Sequence, residues 1–249
     1  MRSIAIVNSK GGVAKTTTAV NLAHGIARTG KKVLLIDLDA QGGCSSLLGL
    51  EQEQCVFDLL ISDPAQYKPA QALRLTGRDN LTLIPGNRRT ATAQNILMIE
   101  KRSIEYLRDV LKSFDFDYLI IDTSPSIGEL AAQAIWMSNY YLIPTACDFL
   151  SSEGVYRIQE TATALIEVKK SKTQLLGLLP TYYDTTKESA TILAELKSHF
   201  GDHVLEPIHR ATILRESGAA GQTIFEFDKR SRAAAEYQNL VDYVLEVNE

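Results

Sequence analysis

Two glycines flanked by lysines, set between an apolar run and a helix, limit what this chain can fold into more than any other stretch. Ile4-Ala5-Ile6-Val7 is followed by Lys10-Gly11-Gly12-Val13-Ala14-Lys15-Thr16-Thr17. That order predicts a strand, a glycine-bearing turn and a helix opening at Thr16. Glycines beside small residues let successive backbone N–H groups converge on one point. The helix behind them adds its own unpaired N–H groups and the positive end of its dipole. Such a nest suits an anion, phosphate above all. Lys15 can lie along the β and γ phosphates, and the Thr16 hydroxyl can complete the coordination of a Mg²⁺ ion.

The usual P-loop pattern is G-x-x-x-x-G-K-[ST]. Here Gly11 begins it, Lys15 and Thr16 end it, and Ala14 stands where a second glycine is expected. A plain glycine turn between an edge strand and a helix would account for the glycines but not for Lys10. A lysine at that place curls poorly onto a phosphate held in its own loop, and can instead reach a nucleotide bound by a facing subunit. The stretch Lys10–Thr17 resembles the deviant Walker A motif of the ParA/MinD family of P-loop ATPases, most of all the Soj-type ParA partition ATPases. The resemblance implies that Lys10, Gly11, Gly12, Val13, Ala14, Lys15, Thr16 and Thr17 bind ATP.

The rest of the chain suits that expectation. With 249 residues, 45% of them hydrophobic, it can bury one substantial core, and a single P-loop ATPase domain over 1–249 is expected. Val33-Leu34-Leu35-Ile36 and Tyr118-Leu119-Ile120-Ile121 are apolar on both faces, as are Tyr140–Pro144 and Leu175–Leu179, with Leu81–Ile84 as a further strand. Strands alternate with helical stretches, including one from Thr16 to about Arg28. This argues for right-handed βαβ units and an α/β fold with a doubly wound, mostly parallel sheet flanked by helices. Residues 50–110 read as several short helices, with helices over Thr90–Glu100 and Arg102–Phe114. The net charge of −4 gives no overall attraction to nucleic acid, so any DNA binding needs a local patch. Cys44, Cys55 and Cys147 are odd in number and out of metal-ligand spacing, which predicts buried thiols. No apolar run nears the ~18–20 residues of a membrane span, so a cytoplasmic protein is expected.

Two strands close on acidic residues, at the edge where open parallel sheets carry their ligands. In Leu35-Ile36-Asp37-Leu38-Asp39-Ala40-Gln41-Gly42 the two aspartates are two apart and point to one side. The resemblance makes this switch I, with Asp39 positioning the attacking water and Asp37 supporting the magnesium shell. Ala40 replaces the family's usual proline, and no ligand role is assigned to Gly43 or Cys44. Ile120-Ile121-Asp122-Thr123-Ser124-Pro125 matches the Walker B pattern, so Asp122 is expected to hold Mg²⁺ through a water. Ser124 replaces the first of two usual prolines of switch II. By family position the adenine lies near Thr181 and the segment from Pro207 to Arg210. Lys10, Lys15 and Asp39 are then the catalytic residues, with no strong base, so slow turnover is expected.

The C-terminal third carries the remaining expectations. Ser151–Lys170 reads as an amphipathic helix. In Soj-type proteins basic residues after the penultimate strand and before the last helix touch the DNA backbone. The resemblance transfers that role to Arg215, Lys229, Arg230 and Arg232, although Glu216, Glu226, Asp228 and Glu236 nearly cancel their charge. After Arg232 no lysine or arginine follows, while Glu236, Asp242, Glu246 and Glu249 are acidic, which disfavours the membrane-lying final helix of MinD-type proteins. The iron-protein branch needs paired cluster-ligating cysteines, and Cys55 and Cys147 do not fall where that branch places them. The expectation is an ATP-sandwich homodimer on nonspecific double-stranded DNA at the nucleoid, released when a ParB-like partner stimulates hydrolysis. The alternatives are a protein cargo, such as a carboxysome or chemoreceptor cluster, and a nucleotide-binding regulator with little hydrolysis.

Overall fold

The computed structural model describes residues 1–51, 56–62, 67–101, 103–126, 128–148 and 151–247. Cys55, Arg102 and Glu249 lie outside these. Seven strands form one sheet: β1 (Arg2–Ile6), β2 (Val33–Leu38), β3 (Arg74–Leu75), β4 (Leu81–Ile84), β5 (Tyr118–Thr123), β6 (Tyr140–Ala146) and β7 (Gln174–Thr181), in the order β3-β4-β2-β5-β1-β6-β7. Every neighbouring pair is parallel except β3 and β4. The first helices are α1 (Lys15–Ala27), α2 (Gly43–Leu48), α3 (Val56–Ile61), α4 (Arg89–Ile99), α5 (Tyr106–Leu111) and α6 (Glu129–Met137). They are followed by α7 (Ser151–Lys169), α8 (Lys187–Phe200), α9 (Ile213–Ala219), α10 (Ile224–Phe227) and α11 (Arg232–Val247). None of the helices in the described residues is long and apolar enough to cross a membrane.

Side chains that alternate along a strand build two cores. Ile4 and Ile6 of β1 and Val33 and Leu35 of β2 face α1 and α11, while Ala5, Leu34 and Ile36 face the cluster containing Leu107, Leu130 and Val155. Every residue of β2 and β5 is buried, as two helix-covered faces require. On the first face α1 and α11 approach so closely that a Cβ on Gly25 would lie 2.4 Å from Val241 Cγ2. The carboxyl ends of β1, β2 and β5 come together in register, with Ile6 beside Asp122 and Asp122 beside Asp37. This alignment places the glycine loop and both acidic strand ends at one edge.

Departures from the sequence reading are local. Helix α1 begins at Lys15, one residue before Thr16. The helix expected over 102–114 is Tyr106–Leu111, with Ser103 making a turn ahead of it by accepting from the Tyr106 and Glu105 N–H groups. Helix α4 is Arg89–Ile99 rather than Thr90–Glu100, because the Asn87 side chain accepts from the Arg89 N–H and starts it earlier. Strand β6 runs two residues past Pro144, and the two-residue β3 is too short to leave any periodicity.

His24 of α1 has a consequence for stability. It is 8% exposed, its Nδ1 lies 2.6 Å from Thr223 Oγ1, and burial holds its pKa at about 4 against an ordinary 6.5. The charge of Glu226 opposes that shift and those of Arg78 and Arg28 add to it. The unfolded chain therefore binds a proton between about pH 6.5 and 4 that the folded one does not, so stability should fall through that window as pH falls. Urea midpoints measured across it should decline in the parent and decline less steeply in His24→Gln.

Candidate functional site

The loop between β1 and α1 is an anion nest held from below. Gly12 has φ 72°, and Ala14, at the helix N-cap, takes a left-handed φ of 64°. A side chain there costs about 1–2 kcal/mol of backbone strain. Ala14 O accepts from the Thr18 N–H at 2.9 Å, closing the first turn of α1. Asn8 supports the loop: its Nδ2 donates to Pro144 O at 2.7 Å and its Oδ1 accepts from the Lys10 N–H at 2.9 Å. Gly11 faces Pro125, whose Cβ would stand 3.9 Å from a Cβ at that glycine, so the loop abuts the segment after β5.

The two lysines point different ways. Lys15 is 7% exposed and its Nζ donates to Lys10 O at 2.8 Å, folding the ammonium back over the nest. Burial lowers its pKa, and the charges of Asp122 and Asp39 oppose that. Lys10 Nζ instead lies 2.6 Å from Asp148 Oδ1, just beyond β6, with both side chains partly exposed. Neither Asn8 nor Asp148 was singled out by the sequence, because each reaches the loop from a position more than 130 residues away or through a neighbour's backbone.

Opposite the loop stand Asp37 and Asp122, both 0% exposed and cross-strand partners. Asp37 accepts from the Asp39 N–H at 2.9 Å and the Cys44 N–H at 3.0 Å, so it ties the turn after β2 to the start of α2. Burial lifts its pKa to about 6, with those two hydrogen bonds opposing. Burial, then the charge of Asp37, pushes Asp122 well up, against a hydrogen bond from Thr16 and the charge of Lys15. Among the described residues Asp122 Oδ1 has no hydrogen-bond partner. A pair of dry carboxylates with an orphaned oxygen beside a hydroxyl is an oxygen set that fits Mg²⁺, and Thr16, Asp37 and Asp122 could hold it. Asp39, half-buried, accepts from the Gln41 N–H at 2.9 Å through Oδ1. Gly86, which the sequence reading passed over, lets the exit of β4 approach this turn. A Cβ there would lie 2.5 Å from Asp39 O and 2.9 Å from Asp37 Oδ1.

Beside the loop is a 240 Å³ cavity lined by Ala14, Thr17, Thr181, Tyr182, Arg210 and Tyr237, among others. Thr181 Oγ1 donates to Val13 O at 3.3 Å, and the Arg210 guanidinium lies 5.4 Å from the centre of the Tyr182 ring. Thr181 and Arg210, both expected near adenine, line this one cavity. Pro207 does not line the cavity, whereas its neighbour Ile208 does. The four basic residues separate. Arg215 is exposed and lines this cavity, while Lys229 and Arg230 sit exposed between α10 and α11 and Arg232, also exposed, opens α11 with its Nε 3.3 Å from Glu236 Oε1.

Residues 1–175 match a family model described as an AAA domain. The chain is 35% identical over 253 residues to the sporulation initiation inhibitor protein Soj of Bacillus subtilis, covering 97% of each. Among solved structures it is similar to apo McdA of Cyanothece (TM-score 0.89, 24% identity, 98% of this chain and 99% of that one). It is also similar to the septum site-determining protein MinD of Pyrococcus horikoshii complexed with Mg-ADP (TM-score 0.80, 21% identity, 99% and 97%).

Proposed function

The chain belongs to the ParA/MinD family of P-loop ATPases and is most like its Soj members, and from that premise we propose that it is a ParA-type ATPase. ATP joins two copies face to face, the dimer binds DNA without reading sequence, and a ParB-like partner that stimulates hydrolysis ends the cycle. The observation that carries this reading is the divergence of the two lysines: Lys15 folded over its own nest, Lys10 directed out to Asp148 at the surface. A lysine held there can exchange that carboxylate for a facing subunit's phosphate.

In this reading 1–249 acts as one ATPase domain. Gly11 to Thr17 wrap the phosphates with backbone N–H groups, and Lys15 and the facing subunit's Lys10 stabilise charge that grows on the γ-phosphate. Asp39 orients the attacking water. Thr16, Asp37 and Asp122 would hold Mg²⁺, which would supply positive charge against the phosphate oxygens. The cavity beside Thr181 takes adenine between Tyr182 and the Arg210 segment. Arg215, Lys229, Arg230 and Arg232 touch DNA phosphates, and the dimer doubles that patch, so binding weakens steeply as salt rises.

Turnover of the purified protein at low salt tests this, alone, with nonspecific duplex DNA, and after Lys10→Ala. Slow hydrolysis that DNA raises and the substitution abolishes is the expected result. Hydrolysis indifferent to DNA, with no ATP-dependent dimer on DNA, would overturn it.

A further inference from the structure

Cys44 is a thiol in the middle of the carboxylate pair. It is the second residue of α2, two after Gly42, whose left-handed φ of 66° turns the chain back beneath the nest. Its Sγ lies 3.6 Å from Asp122 Oδ2, and one ligand atom each of Asp37, Cys44 and Asp122 falls within 4.8 Å of the others, all three residues 0% exposed. Asp122 Oδ1, equally buried, has no hydrogen-bond partner among the described residues. A separation of 3.6 Å between sulfur and oxygen is also the edge of a tetrahedron whose centre is about 2.3 Å from sulfur and about 2.0 Å from oxygen, the bond lengths zinc takes. Charge agrees with geometry: two carboxylates and a thiolate carry three negative charges against the one positive charge of Lys15, and Asp39 adds a further negative charge nearby, so the site favours a divalent cation.

We propose that Asp37, Cys44 and Asp122 form a binding site for a thiophilic divalent cation, Zn²⁺ in particular, which is filled when magnesium nucleotide is absent. Hard Mg²⁺ has no use for sulfur, whereas Zn²⁺ prefers it and accepts carboxylate beside it. Binding replaces the Cys44 S–H bond with a metal–sulfur bond, and the thiol proton leaves to solvent. The fourth position falls to water or to the Thr16 hydroxyl. The site goes beyond the ATPase reading, and its presence does not depend on turnover.

Nucleotide-free protein titrated with Co²⁺ decides it, since a cobalt–thiolate bond gives a charge-transfer band. One equivalent should raise the band, an equivalent of Zn²⁺ should bleach it, and Cys44→Ala should abolish it and weaken Zn²⁺ binding by about 100-fold or more. The variant Cys55→Ala/Cys147→Ala, which keeps Cys44 as its one thiol, should retain the band and carries the test if Cys44→Ala does not fold. Absence of the band from the folded parent or from that double variant, or its survival in Cys44→Ala, would overturn the site. A protein that shows the band yet hydrolyses no ATP would keep the site and lose the ATPase reading.

Discussion

Asp39→Ala should leave ATP binding and the ATP-bound dimer intact and lower turnover by about 10²–10³-fold, the range for losing a group that orients or activates a nucleophile. Asp39 stands one residue past the end of β2, where its carboxylate caps only the Gln41 N–H and is half open to solvent. Removing it costs one turn hydrogen bond of about 1 kcal/mol and uncovers no core. The fold, the nest and the Asp37–Asp122 pair stay as they are. Single-turnover hydrolysis, nucleotide titration and size-exclusion in ATP separate the effects. Unchanged turnover and dimer lifetime would remove Asp39 from the mechanism.

Lys15→Ala should act earlier in the cycle, weakening ATP binding by about 100-fold or more and leaving no measurable hydrolysis. The charges of Asp122 and Asp39 both act on its ammonium. Without it, triphosphate would enter a space that already holds two buried carboxylates. A charge-assisted contact to phosphate is among the strongest a protein makes, and nothing replaces this one from within the loop. The lost internal contact, Nζ to Lys10 O, is worth about 1 kcal/mol, so the variant should unfold at nearly the parent's urea midpoint. Retained ATP affinity in a folded Lys15→Ala would put the phosphates elsewhere.

What the sequence made legible was whatever is local in the chain. The nest is one run of eight residues, and apolar strands ending in Asp37 and Asp122 announce both themselves and the edge they share. Groups whose role depends on distant backbone were not legible. Asp148 meets Lys10 across 138 positions, and Tyr237 reaches the cavity beside the loop from the last helix. Cys44 looked like one of three inert thiols because its spacing to other ligands is unremarkable in sequence. Only the left-handed turn at Gly42 and the pairing of β2 with β5 bring it to Asp122. Gly86 likewise sits in an ordinary Pro-Gly turn until β4 is laid beside β2. The short helices of 50–110 were hard to bound because their ends are set by single capping side chains, such as Asn87, rather than by periodicity.

The place of β1 in the sheet also sets a schedule. Strand β1 is flanked by β5 and β6, so its neighbours are residues 118–122 and 140–142, made more than a hundred residues later. At about 5–20 residues per second, that is a wait on the order of 10 s during which the loop has been synthesised but has nothing to stand on. The antiparallel outer strands β3 and β4 are made meanwhile, yet in the proposed function the loop cannot grip ATP until residues 118–142 have followed. In that reading nucleotide captures only chains whose central sheet is already closed.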